Sequence, residues 1–142
     1  ITAEIIGRGR GISPAALPHF RELFFGDWEG KAYRELVKTY PVQLERWLND
    51  PFMEAPPGGE TVAMLEERAW AGLEKVIAAT PSGHAAVIVS HGGAIRAILR
   101  RCLGLAPESI WDITVENASI SLLSRNGPNL VVLFRNYCRH LD

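Results

Sequence analysis

The stretch Ala86-Val87-Ile88-Val89-Ser90-His91-Gly92-Gly93-Ala94-Ile95-Arg96 decides the fold class. Its short aliphatic, β-branched run reads as a strand buried on both faces, and a helical pattern opens near Ala94. In open parallel sheets, residues at the carboxyl end of a strand face the crevice where ligands bind, and His91 stands at that end. The two glycines let backbone N–H groups approach a ligand closely. The helix that follows turns its unpaired amides and positive dipole end toward the same place. A phosphate group suits such a site.

Two other readings of the segment exist. A histidine beside a strand-to-helix turn can simply donate a hydrogen bond to the turn. A His-Gly-Gly string can also present amides to the oxyanion of an esterase, but that chemistry needs a G-x-S-x-G nucleophile elbow, and the sequence contains none.

The rest of the chain limits the function further. With 142 residues, 47% of them hydrophobic and 22% charged, it is long enough for one domain, residues 1–142, with a sizeable core. Fifteen Lys and Arg against sixteen Asp and Glu give no global positive field for nucleic acid or an anionic membrane, so an anion site must be local. Cys102 and Cys138 lack metal-ligand spacing and fit thiols of a reducing, cytoplasmic compartment better than a disulfide framework. No apolar run is long enough to span a membrane, and no signal segment opens the sequence. Residues Thr2 to Gly7 read as the last turns of a helix capped by Gly7, and the first Met is Met53. The natural chain is therefore expected to continue upstream of Ile1.

Outward from the opening stretch, Val62, Leu65, Ala69, Leu73, Val76 and Ile77 mark an amphipathic helix ending before Pro81. Ile95, Ile98, Leu99, Cys102 and Leu103 form the apolar face of the next helix, with Gly104 as its cap. Tyr33, Leu36, Val37 and Tyr40, then Leu44, Trp47 and Leu48, predict two short helices broken at Pro41. Leu17 to Phe25 is expected to supply a short strand before a Gly26–Gly30 turn. The Pro- and Gly-rich residues 50 to 60 form a loop, a candidate lid or substrate-facing wall. Ala118 to Ser124 and Leu130 to Arg135 flank Arg125-Asn126-Gly127-Pro128-Asn129 as a hairpin. This alternation predicts a three-layer α/β/α fold with a largely parallel central sheet and an antiparallel edge.

Four blocks then stand in order: Arg21-Glu22-Leu23-Phe24-Phe25-Gly26-Asp27-Trp28-Glu29-Gly30, Pro57-Gly58-Gly59-Glu60-Thr61, Val89-Ser90-His91-Gly92-Gly93, and Asn136-Tyr137-Cys138-Arg139-His140-Leu141. Together they resemble the histidine phosphatase superfamily of phosphoglycerate mutase-like enzymes. The first two blocks look most like the branch of α-ribazole phosphatases and broad-specificity phosphatases. The resemblance covers essentially the whole chain and implies the phosphoglycerate mutase-like fold without its first strand.

It also implies a function. His91 is similar to the family histidine that stabilises the transferring phosphoryl group, Glu22 to the proton donor for the leaving oxygen, and Gly92 to a residue whose amide binds a phosphoryl oxygen. The implied reaction is hydrolysis of a small phosphorylated metabolite, an α-ribazole phosphate or a sugar phosphate, through a phosphohistidine and without metal or cofactor. The family's R-H-G string, which supplies the nucleophile, has no counterpart here: His19, His84 and His140 stand in other contexts. The nucleophile is expected upstream of residue 1. A mutase is an alternative, although mutases of this type usually have a longer insertion than the Glu22 to His91 interval allows. A catalytically inactive phosphate-binding module is another. Glu60 reads either as part of the site or as a carboxylate stabilising a helix N-terminus. Trp28 is expected to pack under its loop, and Arg96 either to help an anion site or, as is more usual for a helix residue, to join an ion pair.

Overall fold

A computed structural model describes residues 1–127 and 129–141 of the chain. Two helices form its centre. Helix α4 (Val62–Ala79) starts at Thr61, whose Oγ1 accepts the Met64 N–H at 3.1 Å. It buries Val62, Leu65, Ala69 and Leu73, the stripe expected from their spacing. Helix α5 (Gly92–Leu103) packs across α4 and begins two residues before the expected start at Ala94. Gly104 ends it in the left-handed region at φ 62°, with backbone bonds back to Arg100 and Arg101, as a glycine cap requires.

One apolar cluster joins Leu23, Val62, Leu65, Ala94, Ala97 and Ile110, and a second joins Phe20, Ala69, Leu73 and Ile98. Helices α2 (Tyr33–Thr39) and α3 (Pro41–Asn49) meet at the predicted proline break. Between them and the Gly26–Trp28 turn, Trp28, Leu36 and Leu44 form a third cluster, with Trp28 4% exposed. Trp28 thus packs under its loop as expected. The first helix, α1 (Thr2–Gly7), ends as predicted but for another reason. Its cap residue is Arg8 in an extended conformation, and Gly7 is buried where a Cβ would collide with the Ile12 carbonyl.

The fold is mixed α/β, with the hairpin as its sheet. Strands β1 (Ile120–Asn126) and β2 (Asn129–Tyr137) pair antiparallel, with a register shift around Leu122. Pro128 of the predicted hairpin loop lies outside the described residues. Two predicted strands are not laddered. Residues 85–90 lie in no helix or strand, Val87 is 74% exposed and Val89 38%, and of this run Ile88 reaches the core. An apolar run becomes a two-faced strand only when strands flank it, and the described residues place none there. The parallel part of the predicted sheet is therefore not formed by these residues. The segment from Leu17 to Phe25 is likewise no strand: Pro18–Phe20 makes a 3-10 turn, and residues 21–25 join no helix or ladder. Among the described residues no helix is long and apolar enough to cross a membrane.

Candidate active site

The first two sequence blocks meet backbone to backbone. Gly26, at φ 54°, lies so close to Pro57 and Gly59 that a Cβ would overlap both. A Cβ on Gly59 would come within 2.6 Å of the Phe24 carbonyl. The contact is sealed by Asp27 N–H donating to the Pro57 carbonyl at 2.8 Å and by Glu60 N–H donating to the Phe24 carbonyl at 2.9 Å. The glycines of both blocks are thus explained by close approach of the chains.

The first and third blocks meet at the start of α5. His91 is its N-cap residue, with extended backbone, and its carbonyl accepts the Ile95 N–H at 3.0 Å. The His91 side chain caps no amide and is exposed, so its ring is not consumed by the turn. Glu22 arrives from the irregular segment 21–25. Its Oε2 accepts the Gly93 N–H at 3.1 Å, and its Oε1 accepts the Leu23 N–H at 2.8 Å. One of the helix's orphan amides is therefore satisfied by a carboxylate, which the dipole favours. A Cβ at position 93 would fall on Glu22 Oε1, so the second glycine makes room for that carboxylate. The structure thus brings Glu22 onto the His91-Gly92-Gly93 turn, 71 residues apart in sequence.

Two arginines frame this meeting point, and of these the sequence reading considers Arg96 alone. Among the described residues Arg96 has no ion-pair partner, and its Nε donates to the Ile113 carbonyl at 2.9 Å. Its Nη1 lies 2.8 Å from where a Cβ on Gly92 would sit, which places a cation beside the first glycine. Arg68, from α4, donates to the carbonyls of His19, Arg21 and Glu22, each at 2.9 Å. It also grips Glu60, with Nε 2.9 Å from Oε2 and Nη2 2.5 Å from Oε1. The signal for Arg68 was present, because a charged residue shares the helical stripe of Leu65 and Ala69.

Besides Arg68, Glu60 accepts the Phe24 N–H at 2.9 Å. Burial pushes its carboxyl up, but the Arg68 and Phe24 hydrogen bonds and the charges of Arg68 and Arg21 outweigh that and hold it below its ordinary value of 4.5. A lowered carboxyl stabilises the fold fully above the unfolded value. That contribution is lost as pH falls through the folded one.

The remaining histidines lie elsewhere. His19 Nε2 is 2.9 Å from Lys75 Nζ, His84 turns on the Ser82 carbonyl, and His140 stacks on Tyr137. A concavity of about 420 Å³ beside Phe25, Trp28 and Trp47, and another of about 540 Å³ beside Trp70 and Arg101, do not include Glu22, His91 or Gly92. At the α5 N-terminus His91 is exposed, with Glu22 and Gly92 half-buried. Among the described residues no group of three or more His, Cys, Asp or Glu side chains is placed to hold a metal ion.

The chain has relatives of known description. Phosphoserine phosphatase 1 of Hydrogenobacter thermophilus is 28% identical over 141 residues, covering 99% of this chain and 66% of that protein. The adenosylcobalamin/α-ribazole phosphatase of Escherichia coli is 27% identical over 128 residues, covering 88% of this chain and 61% of the relative. The crystal structure of the α-ribazole phosphatase from Shigella flexneri superposes with a TM-score of 0.83 at 25% identity, over 95% of this chain and 66% of that one. The chain thus spans somewhat under two thirds of the length of these proteins. Residues 1–137 match branch 1 of the histidine phosphatase superfamily, and the chain belongs to that family.

Proposed function

We propose that the full chain is a phosphomonoesterase acting on a small phosphorylated metabolite, an α-ribazole phosphate or a sugar phosphate, through a phosphohistidine. The observation that carries this reading is the Glu22 carboxylate on the Gly93 amide. It sets a proton-carrying group beside the helix terminus where phosphoryl oxygens are best received. In this reading His91 and the Gly92 amide stabilise charge on the phosphoryl oxygens, and Glu22 protonates the departing alkoxide. The attacking histidine comes from outside residues 1–142, since His19, His84 and His140 are engaged away from Glu22. Histidine attack splits hydrolysis into two displacements, and no metal or organic cofactor takes part.

The test is a steady-state assay of the full chain on phosphomonoesters, with and without chelator, joined to rapid quenching of labelled substrate. The expected result is turnover insensitive to chelator and a phosphoprotein stable to base and labile to acid. Loss of all turnover with chelator, or a phosphoprotein with the opposite lability, overturns the reading.

The glycines provide a second test. Gly93→Ala drives its methyl into the Glu22 carboxylate, whereas Gly92→Ala meets the end of the flexible Arg96 side chain. Gly93→Ala is expected to slow an alkyl phosphate by up to about 10²-fold, the cost of roughly 1 Å of misplacement. Gly92→Ala is expected to cost much less, and kcat for the two variants measured side by side checks the order.

A further inference from the structure

We propose that Arg68 is the positioning residue of the acid, holding the backbone of the Glu22 segment in place of a sheet; this rests on the proposed role of Glu22. A guanidinium has five N–H donors in a fixed plane. In Arg68 all five are used: three on the carbonyls of His19, Arg21 and Glu22, and two on Glu60. Glu60 in turn takes the Phe24 N–H and gives its own N–H to the Phe24 carbonyl. Arg68 and Glu60 together therefore fix the main chain from His19 to Phe24.

Of that segment, His19 and Phe20 lie in the Pro18–Phe20 turn, and residues 21–24 lie in no helix or strand among the described residues. It forms no strand, and its carbonyls would otherwise need a ladder or water. Beyond the clamp, Ser90 Oγ donates to the Phe20 carbonyl at 2.8 Å, and the Glu22 carboxylate itself reaches Gly93. Helix α4 thus sets where Glu22 stands, while α5 receives it. A lysine at position 68 would keep the charge but could not span three carbonyls and a carboxylate, because its donors radiate from one point.

A residue that places a general acid affects substrates unequally. A poor leaving group needs the proton, and a good one departs without it. Arg68→Ala and Arg68→Lys in the full chain are therefore read by kcat on an alkyl phosphate and on p-nitrophenyl phosphate, beside Glu22→Gln. The expected result is a loss of about 10- to 10²-fold on the alkyl phosphate, the scale of a small misplacement, and a clearly smaller loss on p-nitrophenyl phosphate. Equal losses on both substrates in a folded variant, or no loss, overturn the positioning role. If Arg68→Ala does not fold, Arg68→Lys is scored by the same criterion. A selective Glu22→Gln with an unselective Arg68 variant defeats the positioning proposal alone. An unselective Glu22→Gln defeats the reading of Glu22 itself, and the positioning role with it.

Discussion

Glu22→Gln in the full chain is expected to slow hydrolysis of an alkyl phosphate by about 10²–10⁴-fold, the span for losing a general acid, while p-nitrophenyl phosphate slows far less. The substitution is nearly isosteric, and one oxygen remains to accept the Gly93 N–H now held at 3.1 Å. What disappears is the transferable proton. His91→Ala is expected to differ in kind. A donor to the phosphoryl oxygens serves every leaving group, so both substrates should slow together, by roughly 10²–10³-fold. Steady-state kcat for the two variants on the two substrates gives four numbers, and the pattern matters more than any one of them. Equal loss for Glu22→Gln on both substrates removes it as the acid. Selective loss for His91→Ala removes it as a charge stabiliser.

The helices of this chain were legible because their signals are local. The α4 stripe repeats at helical spacing, Pro41 forces the α2–α3 break, and Gly104 supplies the left-handed cap. The hairpin and the crowding of motif residues at a helix start were legible too. What failed was local evidence about non-local partners. Ala86 to Val89 has the composition of a buried strand, but burial is decided by flanking strands that the run itself does not encode, and Val87 stands 74% exposed.

The segment from Leu17 to Phe25 failed for a related reason. Its backbone acceptors are satisfied by a side chain far along the sequence, Arg68, and not by a neighbouring strand. Within the site, the sequence pointed to Glu22, His91 and Gly92, and the structure sets Glu22 against the turn that carries the other two. A charge on the α4 stripe marked Arg68, but both arginines serve backbone carbonyls, and no spacing rule names such partners.

The relation between α4 and α5 should be the most sensitive point of the fold. Arg100 of α5 holds Glu66 of α4 with two hydrogen bonds, both at 2.6 Å, and the side chains are only 12% and 9% exposed. The Arg100 guanidinium also lies 5.2 Å from the Phe52 ring centre and donates to the Leu105 carbonyl. The Glu66 hydrogen bond raises Arg100 above its ordinary value against the opposing effect of burial, and the charges of Glu66 and Glu108 add to it. A raised cation stabilises the fold at every pH below its unfolded value, so this contribution does not lapse in the working range. Glu66→Ala strands the buried cation and is expected to cost about 3–5 kcal/mol. Calorimetry or urea unfolding would read it, at roughly 2–4 °C of Tm per kcal/mol for a chain of this length. Glu66→Leu combined with Arg100→Met should recover most of the loss, since replacing both partners removes the unpaired charge. A Glu66→Ala variant within about 1 kcal/mol of the parent would show that apolar packing alone joins the helices. In that case α4 would hold Arg68 in register with the α5 turn without help from the ion pair, through Leu65, Ala69, Ala94 and Ala97.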